Sequence, residues 1–258
     1  MGERTSYTPG TFCWVDLNTD DQDGAKAFYA TLFGWEYDDI PIGDGIVYSM
    51  AQLGGHSVAA LGPLQGPDMP PHWNCYVSVD DADASAARAA ELGATLVAEP
   101  FDVFDAGRMA AFQDPQGAVL SVWQARETIG AGLVNVPGAL TWNDLITPDL
   151  EASAAFYREL FGWKVAPAEG SEGAEFEYWS IVNQGRPNGG MMALPPGGHP
   201  AWNLYFASED AAATVARAGE LGGATVMGPI DVPNGSRFAI LRDPSNAVFS
   251  VASGPMDP

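Results

Sequence analysis

The chain has 258 residues, of which 47% are hydrophobic, and it contains 30 glycines and 20 prolines. This is the composition of a globular protein with many turns, and it excludes a disordered chain. Its 33 acidic and 11 basic residues give a net charge of −22, and the basic residues are scattered singly. Because no basic stripe exists to neutralise phosphates, we predict that nucleic acid is not a partner.

No stretch of the sequence is long and apolar enough to cross a membrane, and residues 1–10 lack the apolar run of a signal peptide. The two cysteines, Cys13 and Cys75, fall in predicted strands and are read as buried thiols. We therefore predict a cytoplasmic protein without a membrane partner. The acidity favours solubility, and it would also attract a cationic ligand.

The two halves of the chain repeat one another at a nearly constant offset. Residues 14–17 return as 142–145, and residues 27–35 return as 155–163, each 128 positions later. Landmarks further along each half are separated by 129 positions, so one net residue was gained in the loops. A repeat of this kind sets the fold before any other feature is considered.

Each half is predicted to contain two βαβββ units. A strand over 11–17 leads to a helix with Thr19 as its N-cap and Gly34 at its end, and the second half repeats this helix behind Thr147. The remaining elements of the first half are strands near 35–37, 47–53, 57–61, 74–79, 95–98, 108–112 and 118–123, and a helix over 81–92. The fold class is therefore α+β, with four βαβββ units in two tandem copies.

A capped helix ending in Phe-Tyr-x-x-Leu-Phe-Gly-Trp and a late Asp-Pro hairpin resemble the vicinal oxygen chelate superfamily. That group includes glyoxalase I, bleomycin-resistance proteins and extradiol dioxygenases, and the likeness is greatest to tandem glyoxalase-like proteins of actinobacteria. The resemblance implies glyoxalase-like domains at 9–124 and 138–253, joined by a linker at 125–137. It also implies curled mixed sheets that form cup-shaped cavities, with the helices outside.

The resemblance indicates where metal-using members of the superfamily hold their ion. The matching first-strand, middle-strand and last-strand positions are occupied by tryptophan, asparagine and serine in both halves: Trp14, Asn74, Ser121, Trp142, Asn203 and Ser250. Divalent metals of this class need imidazole or carboxylate ligands. An indole N–H cannot ligate, and neutral amides and hydroxyls are poor substitutes. We therefore predict no metal site and no cofactor.

Alternation along each strand predicts which side chains share the cup face. If Trp14 faces the cup, then Phe12 and Asp16 do too, and in the second half Leu140 and Asp144 accompany Trp142. The predicted ligand-binding residues are Trp14, Asp16, Asn74, Tyr76, Ser121, Trp123, Trp142, Asp144, Asn203, Tyr205 and Ser250. By the same parity Ala252 faces the second cup. Trp14 and Trp142 either line a pocket or act as plugs that fill the space where a ligand would lie. The sequence does not decide between these two interpretations.

Three functions remain open at this point. The chain either binds or sequesters a small organic molecule, such as an aromatic or cationic one, or is a glyoxalase-like lyase or hydroxylase-type enzyme. Asp16 and Asp144, or an unrecognised metal, would serve such an enzyme. The third hypothesis is an interaction protein whose cups are filled by its own side chains, so that the fold serves as a scaffold. Arg108 and Arg237 are candidate ion-pair partners or anion anchors, and the tandem halves predict a monomeric pseudo-dimer.

Overall fold

The computed structural model describes residues 2–43, 45–66, 69–168, 177–232 and 235–255. Each half forms one eight-stranded mixed sheet with two helices. The first half contains β1 (Phe12–Thr19), α1 (Gln22–Phe33), β2 (Glu36–Gly43), β3 (Ile46–Leu53), β4 (His56–Pro63), β5 (His72–Ser78), α2 (Ala82–Glu91), β6 (Thr95–Val103), β7 (Gly107–Gln113) and β8 (Val119–Ala125). The second contains β9 (Leu140–Thr147), α3 (Leu150–Phe161), β10 (Lys164–Pro167), β11 (Tyr178–Asn183), β12 (Arg186–Ala193), β13 (Ala201–Ala207), α4 (Ala211–Glu220), β14 (Ala224–Asp231), β15 (Arg237–Arg242) and β16 (Val248–Ser253).

Two consecutive βαβββ units join side by side to make each sheet. The strand order is β2-β3-β4-β1-β5-β8-β7-β6 in the first half, and the second half follows the same order with β10-β11-β12-β9-β13-β16-β15-β14. The central pair β1 and β5 is antiparallel, whereas β1 with β4 and β5 with β8 are parallel. The predicted α+β fold of four units in two tandem copies is confirmed.

The first helix of each half begins two residues later than predicted. The N-caps are Asp21 and Asp149, whose carboxylates accept hydrogen bonds from the backbone N–H groups of Gly24 and Ala152 at 2.9 Å. The predicted caps were the preceding threonines, whose hydroxyls instead accept from the backbone N–H of Asp21 and Asp149. A charged acceptor forms the stronger bond to the helix end, which explains the shift. Among the described helices, none has the length and apolar character needed to span a bilayer.

The two halves share one core, made from the backs of both sheets and the helices. A reciprocal pair of hydrogen bonds crosses it. Tyr29 of α1 donates to Asp243 at 3.0 Å, and Tyr157 of α3 donates to Asp114 at 2.8 Å. These two aspartates belong to the Asp-Pro hairpins, so the hairpin of each half holds the helix of the other half. The side chains around Trp14 form a separate buried cluster outside this shared core.

Candidate functional site

A β-bulge at the start of the central strand decides which side chains reach each cup. In the first half Phe12 is paired with Val77 but Trp14 with Tyr76, so β1 carries one extra residue. Phe12 therefore turns into the shared core, with its ring 5.0 Å from that of Trp202, and Cys13 lies with Trp14 on the cup side.

The same bulge occurs in the second half, between Leu140 and Trp142. Leu140 accordingly lies in the shared core. The predictions that Phe12 and Leu140 face the cups are wrong, because strict alternation does not hold across a bulge.

The floor of the first cup is built around the buried carboxyl group of Asp16. Its Oδ2 accepts hydrogen bonds from the hydroxyls of Tyr48 and Tyr76, both at 2.9 Å. Its Oδ1 accepts from the amide of Asn74 at 2.8 Å. The indole of Trp14 donates to the Tyr48 hydroxyl at 3.2 Å, so four predicted residues and one unpredicted tyrosine form a single network.

The floor of the second cup repeats this plan around Asp144. Its Oδ1 accepts from the hydroxyl of Tyr178 at 2.7 Å and from the indole of Trp142 at 2.9 Å. Tyr205 lies opposite Trp142 across the β9–β13 pair, and burial together with the nearby charge of Asp144 raises the pKa of its phenol. Each floor is thus a buried carboxyl group beside two tyrosines and a tryptophan.

Burial controls the ionisation of both floors. It raises the pKa of Asp16 and of Asp144 above the ordinary value, and the hydrogen bonds that the carboxylates accept offset part of this effect. Burial likewise raises the pKa of Tyr48 and Tyr178, and the adjacent carboxylate raises it further. The phenols therefore stay neutral beside the carboxyl groups.

The remaining predicted residues surround these floors. Asn203 donates to the Ser250 hydroxyl at 2.7 Å, and Ser121 lies opposite Tyr76 across the β5–β8 pair. Trp123 is in the first cup with Trp14, and its indole donates to the backbone oxygen of Thr128 at 2.8 Å.

Tyr48 and Tyr178 are the floor residues that sequence reasoning missed. They lie on β3 and β11, at equivalent places beside the parallel pairs of β1–β4 and β9–β12. Their offset of 130, from 178 − 48, differs from the offset of the first strands because the intervening loops differ in length. A tyrosine on the third strand of both halves was the available signal.

The two candidate arginines lie away from the cup carboxylates. Arg108 forms ion pairs with Asp83 at 2.5 Å and with Asp102 at 2.8 Å, and Arg237 pairs with Asp231 at 2.6 Å. The three aspartates of these pairs are largely exposed, and pairs of this kind contribute little to stability. The reading of these arginines as ion-pair partners agrees with their contacts.

The residues at the superfamily's metal positions do not fit a divalent ion. Those positions carry an indole, a primary amide and a hydroxyl in each half, and each floor supplies one carboxyl group that already accepts hydrogen bonds from neighbouring side chains. Within the part of the chain that the structure describes, no group of three or more His, Cys, Asp or Glu side chains could hold a metal.

The fold and the repeat match known proteins along the whole chain. A model of the Glyoxalase/Bleomycin resistance protein/Dioxygenase superfamily matches residues 11–122 and 139–251. The chain is 44% identical over 257 residues to "Putative glyoxylase CFP32" of Mycobacterium tuberculosis, covering 97% of both chains. It is 36% identical over 264 residues to the anthracycline biosynthesis protein DnrV of Streptomyces peucetius, covering 96% of this chain and 94% of the relative.

Solved structures share the architecture at low sequence identity. The Mn(II)-bound glyoxalase from Novosphingobium aromaticivorans matches with a TM-score of 0.66 and 18% identity, over 98% of this chain and 83% of that one. The 2,3-dioxygenase LapB from Pseudomonas sp. KL28 matches with a TM-score of 0.66 and 14% identity, over 98% and 95% of the respective chains. At these identities the likeness concerns the fold alone.

Proposed function

Because the chain belongs to the glyoxalase/bleomycin resistance protein/dioxygenase superfamily, we propose that it binds a small aromatic molecule in a cup and does so without a metal ion. The observation that carries the proposal is the floor itself. Where a metal-using relative needs ligating nitrogens and oxygens, this chain presents a buried carboxyl group ringed by phenols, an indole and, in the first half, an amide.

The carboxyl group keeps capacity for a ligand. Two carboxylate oxygens offer about four lone-pair sites, of which Asp16 uses three and Asp144 uses two in the hydrogen bonds described. A hydroxyl or protonated amine of a ligand would take a site that is left. Such a contact is favourable because a donor to a buried carboxylate replaces hydration that burial removed.

The rings around the floor favour a planar partner. Trp14, Tyr48 and Tyr76 border the carboxyl group in the first half, and Trp142, Tyr178 and Tyr205 border it in the second. Pockets of this make-up, apolar with a few placed polar groups, suit small organic ligands. The relative named for anthracycline biosynthesis supports a polycyclic aromatic ligand, and the net charge of −22 supports a cationic one.

The direct test is a fluorescence titration of the protein with doxorubicin, an anthracycline that carries an amine, and with its uncharged aglycone. We expect saturable quenching of tryptophan fluorescence by both compounds, with tighter binding of the amine at low ionic strength. Protein dialysed against EDTA should bind as well as untreated protein. Absence of saturable binding by either compound would refute the proposal.

Acid–base catalysis is a second candidate, favoured by the raised pKa of Asp16 and Asp144. A carboxyl group with a raised pKa is a better proton acceptor near neutral pH than an ordinary one. The relative named as a glyoxylase supports an enzyme as well. If turnover of any substrate is found, an Asp16→Asn, Asp144→Asn double variant that retains full turnover would eliminate both residues as the base.

A further inference from the structure

The first cup is filled by its own chain. Trp14 and Trp123 are 7% and 8% exposed, and they pack in one buried cluster with residues of the linker segment 126–134. The Trp123 indole donates to Thr128 of this segment, and the backbone N–H of Ala131 donates to the backbone oxygen of Cys13 at 2.8 Å. Trp14 is therefore a plug in the first cup.

The amino-terminal segment adds a second layer to this cover. Tyr7 packs against the cluster, and its hydroxyl donates to the backbone oxygen of Ala131 at 2.7 Å. Burial raises the pKa of Tyr7 well above its ordinary value, which keeps the phenol a neutral donor. Glu3 forms an antiparallel bridge with Leu133 of the linker segment.

One difference at an equivalent position removes a large side chain from the second cup. Trp123 and Ala252 occupy equivalent positions in the two halves. The backbone oxygen of Trp123 accepts a hydrogen bond from the N–H of Val79, and that of Ala252 accepts one from the N–H of Ser208, which begins the same turn in the second half. An indole in the first cup is thus replaced by a methyl group in the second. Removing a side chain of this size leaves space for several heavy atoms of a ligand.

Two further differences place larger or less polar side chains on the walls of the second cup. Asn18, which donates to Pro63 and accepts from Asn74, corresponds to Ile146. Ala111 corresponds to Ile240, since these residues pair with the equivalent Ser121 and Ser250. Ile146 and Ile240 are both half-buried, so their side chains reach solvent.

We propose that the second cup is the ligand site and that the chain binds one ligand, a planar and largely apolar molecule with one hydroxyl or protonated amine. The walls are side chains that remain partly exposed: Trp142, Ile146, Tyr178, Met192, Phe238 and Ile240. The hydroxyl or amine would bind Asp144 at the floor. This assignment rests on the proposed function.

One test measures access to the cups without any ligand. Cysteine is introduced at Ala111→Cys in the first cup and at Ile240→Cys in the second, in a chain whose native Cys13 and Cys75 are buried. We expect N-ethylmaleimide to label Ile240→Cys at least tenfold faster than Ala111→Cys. Equal rates, or faster labelling in the first cup, would overturn the assignment.

The second test locates the ligand by filling the cup. Ala252→Trp introduces the tryptophan that the first cup has at this position. Ile146→Asn introduces the smaller asparagine of the first cup, and it keeps the test possible if the tryptophan variant does not fold. Each should weaken doxorubicin binding at least tenfold in titration calorimetry, whereas Tyr7→Phe, at the cover of the first cup, should change it less than twofold. The native chain should bind one equivalent.

The outcomes separate the two proposals. Two equivalents bound, or affinity that survives both second-cup variants, would overturn the assignment to the second cup and leave the proposed function standing. If neither doxorubicin nor its aglycone binds the native chain, the proposed function is wrong, and so is the assignment of the ligand site to the second cup.

Discussion

The two cups have nearly the same floor and very different interiors. Asp16 and Asp144 each accept a hydrogen bond from a tyrosine on the third strand, and a second tyrosine lies beside each carboxyl group. Above the floor the first cup is packed with Trp123 and the linker segment, whereas the second has Ala252 and partly exposed apolar walls. The polar network is therefore similar in the two halves, whereas the first cup is a packed part of the structure.

This comparison also explains a difference within the network. In the first cup Asn74 donates to both Asp16 and Asn18, each at 2.8 Å. The second cup has Ile146 in place of Asn18, and there Asn203 donates to Ser250 at 2.7 Å. One polar-to-apolar change thus redirects an amide and makes the surface beside the carboxyl group less polar.

The largest expected effect is the loss of stability when a cup tryptophan is removed, and this loss should be greater in the first cup than in the second. Trp123→Ala should lower the free energy of unfolding by about 3 to 5 kcal/mol, because it empties a packed site and frees a linker contact. Trp142→Ala should cost about 2 to 3 kcal/mol, since its half-buried ring transfers less area to water and its hydrogen bonds to Asp144 and Tyr178 are lost. Urea unfolding measures both, with Trp→Phe variants as controls. Equal losses at the two positions would argue that the first cup is not a packed core.

A smaller effect is expected where the two floors differ in their backbone. A methyl group added at Gly190 would collide with the Tyr178 hydroxyl, whereas the equivalent position of the first cup already carries Ala60. Gly190→Ala should displace Tyr178 from Asp144 and cost about 1 to 3 kcal/mol. Ala60→Gly, the reverse change, should cost about 0.5 to 1 kcal/mol through backbone entropy. Chemical unfolding compares the two, and a neutral Gly190→Ala would show that the tyrosine is not held as described.

The pH dependence of stability should be alike in the two cups, because both floors are alike. The folded pKa of each aspartate is raised above the unfolded value of about 3.9, so the protonated form is favoured by folding. That contribution is complete below about pH 3.9 and is lost as the pH rises through the folded pKa. The unfolding free energy of the native chain, minus that of Asp16→Asn or of Asp144→Asn, should therefore fall from pH 4 upward, by about 1.4 kcal/mol per unit of pKa shift. A difference that rises with pH would mean that the carboxylates are stabilised as anions.

The smallest expected effect concerns the cover of the first cup. Tyr7→Phe removes the hydrogen bond to Ala131 and should cost about 0.5 to 1.5 kcal/mol. Amide hydrogen exchange should then quicken in the linker segment 126–134 while β9 and β13 of the second cup keep their rates. Faster exchange in both cups would indicate that the cover stabilises the whole molecule rather than one cup.

The fold could be predicted from the sequence because the two halves repeat one another. The constant offset of Trp14 and Trp142 located four βαβββ units, and alternation on β1 correctly placed Trp14 and Asp16 together. It failed at Phe12, since a bulge is a property of the pairing between two strands and leaves no mark on either strand alone.

Contacts between distant segments were also beyond the sequence. Asp114 was recognised as a turn residue, yet its bond to Tyr157 depends on how the halves dock. Whether Trp14 was a wall or a plug depended on the linker segment, whose packing against Cys13 and Trp123 no local pattern reveals. Local patterns thus identified the floors, and tertiary packing determined that Trp14 fills the first cup.

The central claim is that this chain binds an organic ligand at a carboxyl floor without a metal ion. Titration calorimetry of EDTA-dialysed protein with doxorubicin, repeated after adding Mn²⁺, Fe²⁺, Ni²⁺ or Zn²⁺, tests it most directly. We expect one equivalent bound before any metal is added and the same affinity afterwards. Binding that appears only once a metal has been restored would contradict it.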